Sequence, residues 1–153
     1  TQHEISHLII GNIFGNTQTW FNEGLAEFTE RIRAEGNARV SELDKTAITR
    51  LSYKLKHGSL PSLKWLLTSS RSSWKKAGVN EMYEYSWSIV FYLMSHQEGK
   101  VLLTDYLKYV SDNKCEPIDT IAFFNTNYAT GVNGLEKNWK KWLVEGNKFA
   151  VTL

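Results

Sequence analysis

Between residues 80 and 96 the apolar side chains return every three or four positions, so Tyr83, Trp87, Val90, Phe91 and Met94 share one helical face. The same period recurs along most of the chain and confines it to a helical architecture. Residues 1–10 set Ile5, Leu8 and Ile9 on one side of a helix and the histidines on another, until Gly11-Asn12 and Gly15-Asn16 open a loop up to Thr19. A second helix is expected over 20–34, with Phe21, Leu25, Phe28 and Ile32 at helical spacing and Gly36-Asn37 as its end. Residues 41–56 suit another, closed by His57-Gly58, and Pro61 takes a helix-opening place ahead of Leu63, Leu66 and Leu67. A polar stretch over 68–73 reads as a loop with one helical turn around Trp74. Helices follow over 80–96 and 99–112, Cys115-Glu116-Pro117 interrupts, and a short helix covers 118–124. An amphipathic helix over 135–149 turns Trp139, Trp142 and Leu143 inward. No segment alternates with period two for long enough to make a strand. The fold class is mainly α, without internal repeats.

The 153 residues amount to one domain, and an apolar share of 42% supports a real core. Six tryptophans, seven tyrosines and seven phenylalanines argue against disorder. The net charge of +2 comes from 18 basic and 16 acidic residues spread along the chain, so no basic stripe points to nucleic acid. Apolar runs such as Leu8 to Ile10 are too short to span a membrane. Cys115 has no partner for a disulfide, which leaves the redox compartment open. The chain opens Thr1-Gln2-His3-Glu4, without initiator methionine or signal peptide, and reads as the interior of a longer protein.

His3-Glu4-Ile5-Ser6-His7 is an H-E-x-x-H sequence. On a helix its histidines stand one turn apart on one face, so both imidazoles reach a single tetrahedral ion. Glu4 is turned roughly 100° from His3, which keeps it off the ion and lets it hold a water as general base. The bland alternative is two surface histidines with an incidental glutamate.

The segment that follows, Trp20-Phe21-Asn22-Glu23-Gly24-Leu25-Ala26-Glu27, resembles the W-L-N-E-G-x-A stretch of the gluzincins, the metallopeptidases related to thermolysin and aminopeptidase N. The resemblance implies Glu23 as the third metal ligand beside His3 and His7. It also implies Glu27, one turn on, as the acid that orients a ligand histidine, against the alternative of a plain solvated helix charge. Gly24 and Ala26 suit two helices packed closely around an ion. Tyr83-Glu84-Tyr85-Ser86-Trp87-Ser88-Ile89-Val90 looks like the Y-x-x-S-W-x-L-V helix of the bacterial peptidase-MA-like families, and Gly134-Leu135-Glu136-Lys137-Asn138-Trp139 like their terminal L-E-x-x-W helix. The likeness favours Tyr83 as a donor to the developing oxyanion, with Tyr85 the alternative and core packing the plainer role for both. His57 and His96 lie beside loop signals and read as helix-end residues, not ligands.

The implied chemistry is zinc-dependent hydrolysis of a peptide bond in a peptide or protein substrate, with Zn2+ the default ion and Glu4 moving the proton. The fold implied is the helical core of a zincin-like metallopeptidase: one domain over residues 1–153, forming the C-terminal part of a larger catalytic unit. The upstream sheet against whose edge gluzincins bind peptide is not visible in this chain. A reading from another class is a zinc-containing binding or scaffolding domain without turnover, against which Glu4 speaks, since a pure binding module has no use for a base there. Family resemblance points to a secreted or cell-envelope protein of a bacterium.

Overall fold

The computed structural model describes residues 1–15, 17–146 and 148–153. The fold is mainly helical, as the apolar spacing requires. In chain order come α1 (Gln2–Phe14), α2 (Thr19–Glu30), β1 (Ile32–Glu35), β2 (Ala38–Ser41), α3 (Lys45–Lys56), α4 (Leu63–Thr68), α5 (Arg71–Ala77), α6 (Val79–Met94), α7 (Gln97–Asp112), α8 (Thr120–Asn127), α9 (Gly131–Val144) and β3 (Val151–Thr152). Among the described residues no helix is long and apolar enough to cross a membrane.

The centre of the fold is α6. The spacing of its apolar residues predicts a one-sided helix, yet Met82, Tyr85, Ser86, Trp87, Ser88, Ile89, Val90, Phe91 and Leu93 are all buried. Neighbours wrap it on every side: α2 lies along it, and α3, α5, α7 and α9 also touch it. Tyr83 and Met94, expected on the buried face, are only half-buried and lie near its ends. Each fully buried Leu, Ile or Phe on such a helix contributes about 1.5–3 kcal/mol. The α2–α6 crossing is close because Gly24 has no side chain. A Cβ there would stand 2.7 Å from the Ser86 carbonyl oxygen. Gly24 therefore serves the approach of α2 to α6, and not, as its place beside Glu23 suggests, that of α2 to α1.

Several boundaries differ from the periodic reading. Helix α1 runs through Gly11-Asn12 to Phe14 and stops at Gly15, whose φ is +72. A helical Gly11 costs about 1 kcal/mol relative to alanine, a sum offset by continuing the helix to seat Ile10 and Phe14 against their neighbours. Asn16, in the loop expected there, lies outside the described residues. Helix α2 ends at Glu30, and Ile32 and Ala34 enter a strand. Gly36-Asn37 is the two-residue turn of an antiparallel hairpin that pairs Glu35 with Ala38, with Gly36 at φ +59, a conformation glycine adopts freely. Ser41 belongs to β2, so α3 begins only at Lys45, where the Asp44 carboxylate accepts from the Ala47 amide at 2.9 Å. The expected helix over 135–149 starts earlier, at Gly131, and stops at Val144. Asn147 lies outside the described residues, and Val151 and Thr152 pair with β2 to make a sheet of order β1-β2-β3. These strands lack a clean alternation because they are short, and their pairing joins residues 40 and 152.

The outer face of α1 carries Ile5, Leu8, Ile9 and Ile13, all exposed. Its other face lies on α2, fastened by Gln2 Nε2 donating to the Thr29 carbonyl at 2.9 Å and by the Ser6–Thr29 hydroxyl pair at 2.7 Å. That clamp holds the histidine face of α1 along α2, with His7 against Asn22 and Glu23 and His3 against Glu23, Glu27 and Glu30.

Candidate metal centre

His3 and His7, one turn apart on α1, turn their Nε2 atoms toward each other at 2.9 Å. Glu23 rises from α2 into the same space. Its Oε2 lies 3.4 Å from His3 Nε2 and 3.3 Å from His7 Nε2. Glu23 is 2% exposed and its Oε2 has no hydrogen-bond partner.

Proton accounting explains the arrangement. His7 Nδ1 lies 2.8 Å from Asn22 Oδ1, an acceptor, so Nδ1 carries the hydrogen. His3 Nδ1 stands 3.4 Å from carboxylate oxygens of both Glu27 and Glu30, which only accept, so its hydrogen also sits on Nδ1. With both rings neutral, each would present a bare Nε2 lone pair to the third lone-pair atom, Glu23 Oε2. Three such atoms facing one point repel one another, and a buried carboxylate oxygen without a donor is costly. A divalent cation removes both penalties. Nitrogen and oxygen ligands about 2.0–2.1 Å from a tetrahedral ion stand about 3.4 Å apart. Two of the three separations match that edge, and the histidine pair sits slightly closer. His3, His7 and Glu23 thus fit a divalent cation in donor type and spacing.

Residues 1–119 match the family model described as protein of unknown function (DUF1570). The chain belongs to that family. No curated protein and no solved structure matches it. The matched span of this DUF1570 chain takes in α1 to α7, and with them every residue of the centre.

Around the three candidate ligands, the DUF1570 chain brings together residues from separate elements. Glu27 lies beside His3, 3.4 Å from its Nδ1, and accepts from Arg31 at 2.7 Å. Tyr83 on α6 has its ring centre 6.4 Å from that of His3. Burial pushes the Tyr83 phenol above its ordinary value, Glu23 adds to the push, and Arg71 offsets part of it; at neutral pH it keeps its proton. Tyr85 points elsewhere: it is fully buried, stacked on Trp139 at 4.7 Å, with its hydroxyl donating to the Pro61 carbonyl at 3.3 Å. Glu4 stays on the exposed side of α1. Its carboxylate accepts from the Thr1 nitrogen at 3.2 Å in a capping box. His57 and His96 lie apart from the centre at helix ends, each with Nδ1 on a carbonyl four residues back. Cys115 is exposed.

Sequence patterns missed Asn22, Glu30 and Arg71. Asn22 adjoins Glu23 in the quoted motif, and Glu30 lies one turn beyond Glu27, so both were within reach of helical spacing. Arg71 stands in a serine-rich stretch with no periodic signal. Yet it donates through one NH group to Glu23 Oε1 at 2.5 Å and through the other to the Tyr83 hydroxyl at 2.5 Å.

Proposed function

We propose that this DUF1570 chain carries the centre of a zinc-dependent peptidase of gluzincin type, with His3, His7 and Glu23 as the ligands. The observation that carries the reading is the buried Glu23 Oε2, which has no hydrogen-bond partner and faces two imidazole Nε2 atoms whose Nδ1 partners stand beside acceptor oxygens. Two imidazole nitrogens and one carboxylate oxygen converging on a point are a donor set suited to a divalent ion. Three protein ligands keep a position open, as hydrolytic centres need and structural zinc sites do not. When bound, zinc supplies Lewis-acid polarisation of an amide carbonyl and of the attacking water.

The chain's own residues account for the rest. Glu27 and Asn22 hold the imidazole tautomers. Glu4, 76% exposed and held by its capping contact, has to rotate about its side-chain bonds toward the His3–His7 face. Releasing such a contact costs on the order of 1 kcal/mol, small beside the barrier reduction that general-base catalysis supplies. Glu4 then takes the water's proton and returns it to the departing amine of a peptide or protein substrate. Tyr83 is the better oxyanion donor of the two tyrosines. Arg71 can only donate to it, so the phenol's own hydrogen is free to point at substrate, whereas the Tyr85 hydrogen is committed to Pro61.

Elemental analysis and a peptide-library hydrolysis assay test the proposal together. The expected result is close to one zinc per chain, lost in His3→Ala, His7→Ala and Glu23→Ala, with Glu4→Gln keeping zinc and losing nearly all hydrolysis. A chain that holds no metal, or a Glu23→Ala variant that retains it fully, refutes the ligand set. Zinc retained with no hydrolysis of any peptide, whether or not Glu4 is intact, favours a zinc-containing binding domain instead.

A further inference from the structure

We infer that Arg71 is a positioning residue of this centre, which fixes Glu23 as a one-oxygen ligand and aims the Tyr83 hydroxyl; the inference rests on the metal-dependent reading above. Glu23 comes from α2 and Tyr83 from α6, while Arg71 opens α5, so one guanidinium ties three elements together at the site. Its place is set locally. Ser70 caps α5 by accepting from the Ser73 amide, and Trp74, one turn after Arg71, is fully buried, with its indole nitrogen on Ser69 Oγ at 2.7 Å. Trp74 also packs edge-on against the Tyr83 ring, with centres 5.8 Å apart. The guanidinium carbon lies 5.7 Å from the centre of that ring.

This fork has two consequences for Glu23 and Tyr83. A buried carboxylate with both oxygens free can chelate an ion or rotate between binding modes. Arg71 holds Oε1, so only Oε2 is left facing the histidines. Because guanidinium has no acceptor, its contact with Tyr83 must be a donation to the phenol oxygen, which leaves the phenol hydrogen for another acceptor.

An opposing effect has to be weighed, since a second cation near a metal ion repels it. The Arg71 side chain is 62% exposed and Glu23 is 2% exposed. Water screens the repulsion, whereas loss of Arg71 strips a buried carboxylate of the hydrogen bond it has. Orientation therefore outweighs repulsion, and removing Arg71 weakens metal binding.

The test compares wild type, Arg71→Gln and Arg71→Lys by zinc competition against a chromophoric chelator, by the visible spectrum after cobalt loading, and by thermal unfolding of the metal-free chains. Arg71→Gln is expected to lose about ten- to hundredfold in zinc affinity, the range for groups that orient metal ligands. Its cobalt absorption should also weaken as Glu23 gains freedom to bind through both oxygens and the coordination number rises. Arg71→Lys, a point charge that reaches one partner at a time, should recover part of the affinity. Wild-type affinity and an unchanged spectrum in Arg71→Gln overturn the inference while leaving the metal reading standing. So does a lower metal-free melting temperature with an unchanged spectrum, which marks a merely structural residue. Failure of the wild type to take up zinc or cobalt overturns the metal reading, and the inference with it.

Discussion

Gly24→Ala probes how the backbone crossing supports the centre. The added Cβ would lie 2.7 Å from the Ser86 carbonyl oxygen, 2.9 Å from its carbon and 3.0 Å from Val90 Cγ2. Non-bonded carbon prefers roughly 3.5 Å or more, and two of these neighbours are backbone atoms that cannot rotate aside. Helices α2 and α6 must therefore separate by about half an ångström or more, and such overpacking costs about 1–3 kcal/mol. Alanine gains about 0.5–1 kcal/mol over glycine inside a helix, so from the midpoints of the two ranges the net loss is about 1 kcal/mol. For a chain of this size that lowers the melting temperature by about 2–4 °C. Because Glu23 immediately precedes Gly24, the same displacement draws its carboxylate from His3 and His7, and zinc affinity falls with stability. Thermal unfolding by circular dichroism and a chelator competition measure the two effects. A variant as stable as wild type, or more so, would show that helix propensity governs the position and would refute the close crossing. Reduced stability with undiminished zinc affinity would instead separate the crossing from the centre.

Asn22→Ala removes the acceptor that holds the His7 tautomer; zinc affinity should drop about ten- to hundredfold, while Asn22→Asp, still an acceptor, should recover most of it in the same competition assay. Tyr83→Phe should lower kcat on a peptide substrate with KM nearly unchanged, whereas Tyr85→Phe should leave both parameters alone and cost about 1 kcal/mol of stability through its Pro61 bond. At Asp44, burial by itself raises the carboxyl, but the Ala47 amide and Arg31 override it and hold the group below its ordinary 3.8. A carboxyl depressed in the folded state stabilises it above the unfolded value, and that contribution fades as pH falls through the lower folded value. Asp44→Asn, which still caps α3, should therefore flatten the acid limb of a stability–pH curve below about pH 4, as followed by denaturant melts.

The two kinds of error along the chain have one cause. Gly11 and Gly36 carry the same local signal, yet one lies inside a helix and the other turns a hairpin. The first is decided by the packing of Ile10 and Phe14, and the second by strands that find partners, one of them more than a hundred residues away at Val151 and Thr152. In the same way, Tyr83 and Tyr85 have nearly equal claims in the sequence, and only the elements around α6 bury one and turn the other toward His3.

What the sequence by itself determined is what a single element can encode. Apolar spacing makes the fold helical, and four-residue spacing puts His3 and His7 on one face of α1. The same spacing sets Glu23 and Glu27 one turn apart on α2. Those relations follow from 3.6 residues per turn and need no neighbour. Only the tertiary structure decided that Glu23 Oε2 meets both imidazoles, at 3.4 and 3.3 Å from their Nε2 atoms. It alone brings Arg71, 48 residues further along, onto the other oxygen of the same carboxylate. Contacts of that kind depend on how α1, α2, α5 and α6 pack, and packing is settled by side-chain volume and close approach, which leave no period in the sequence to read.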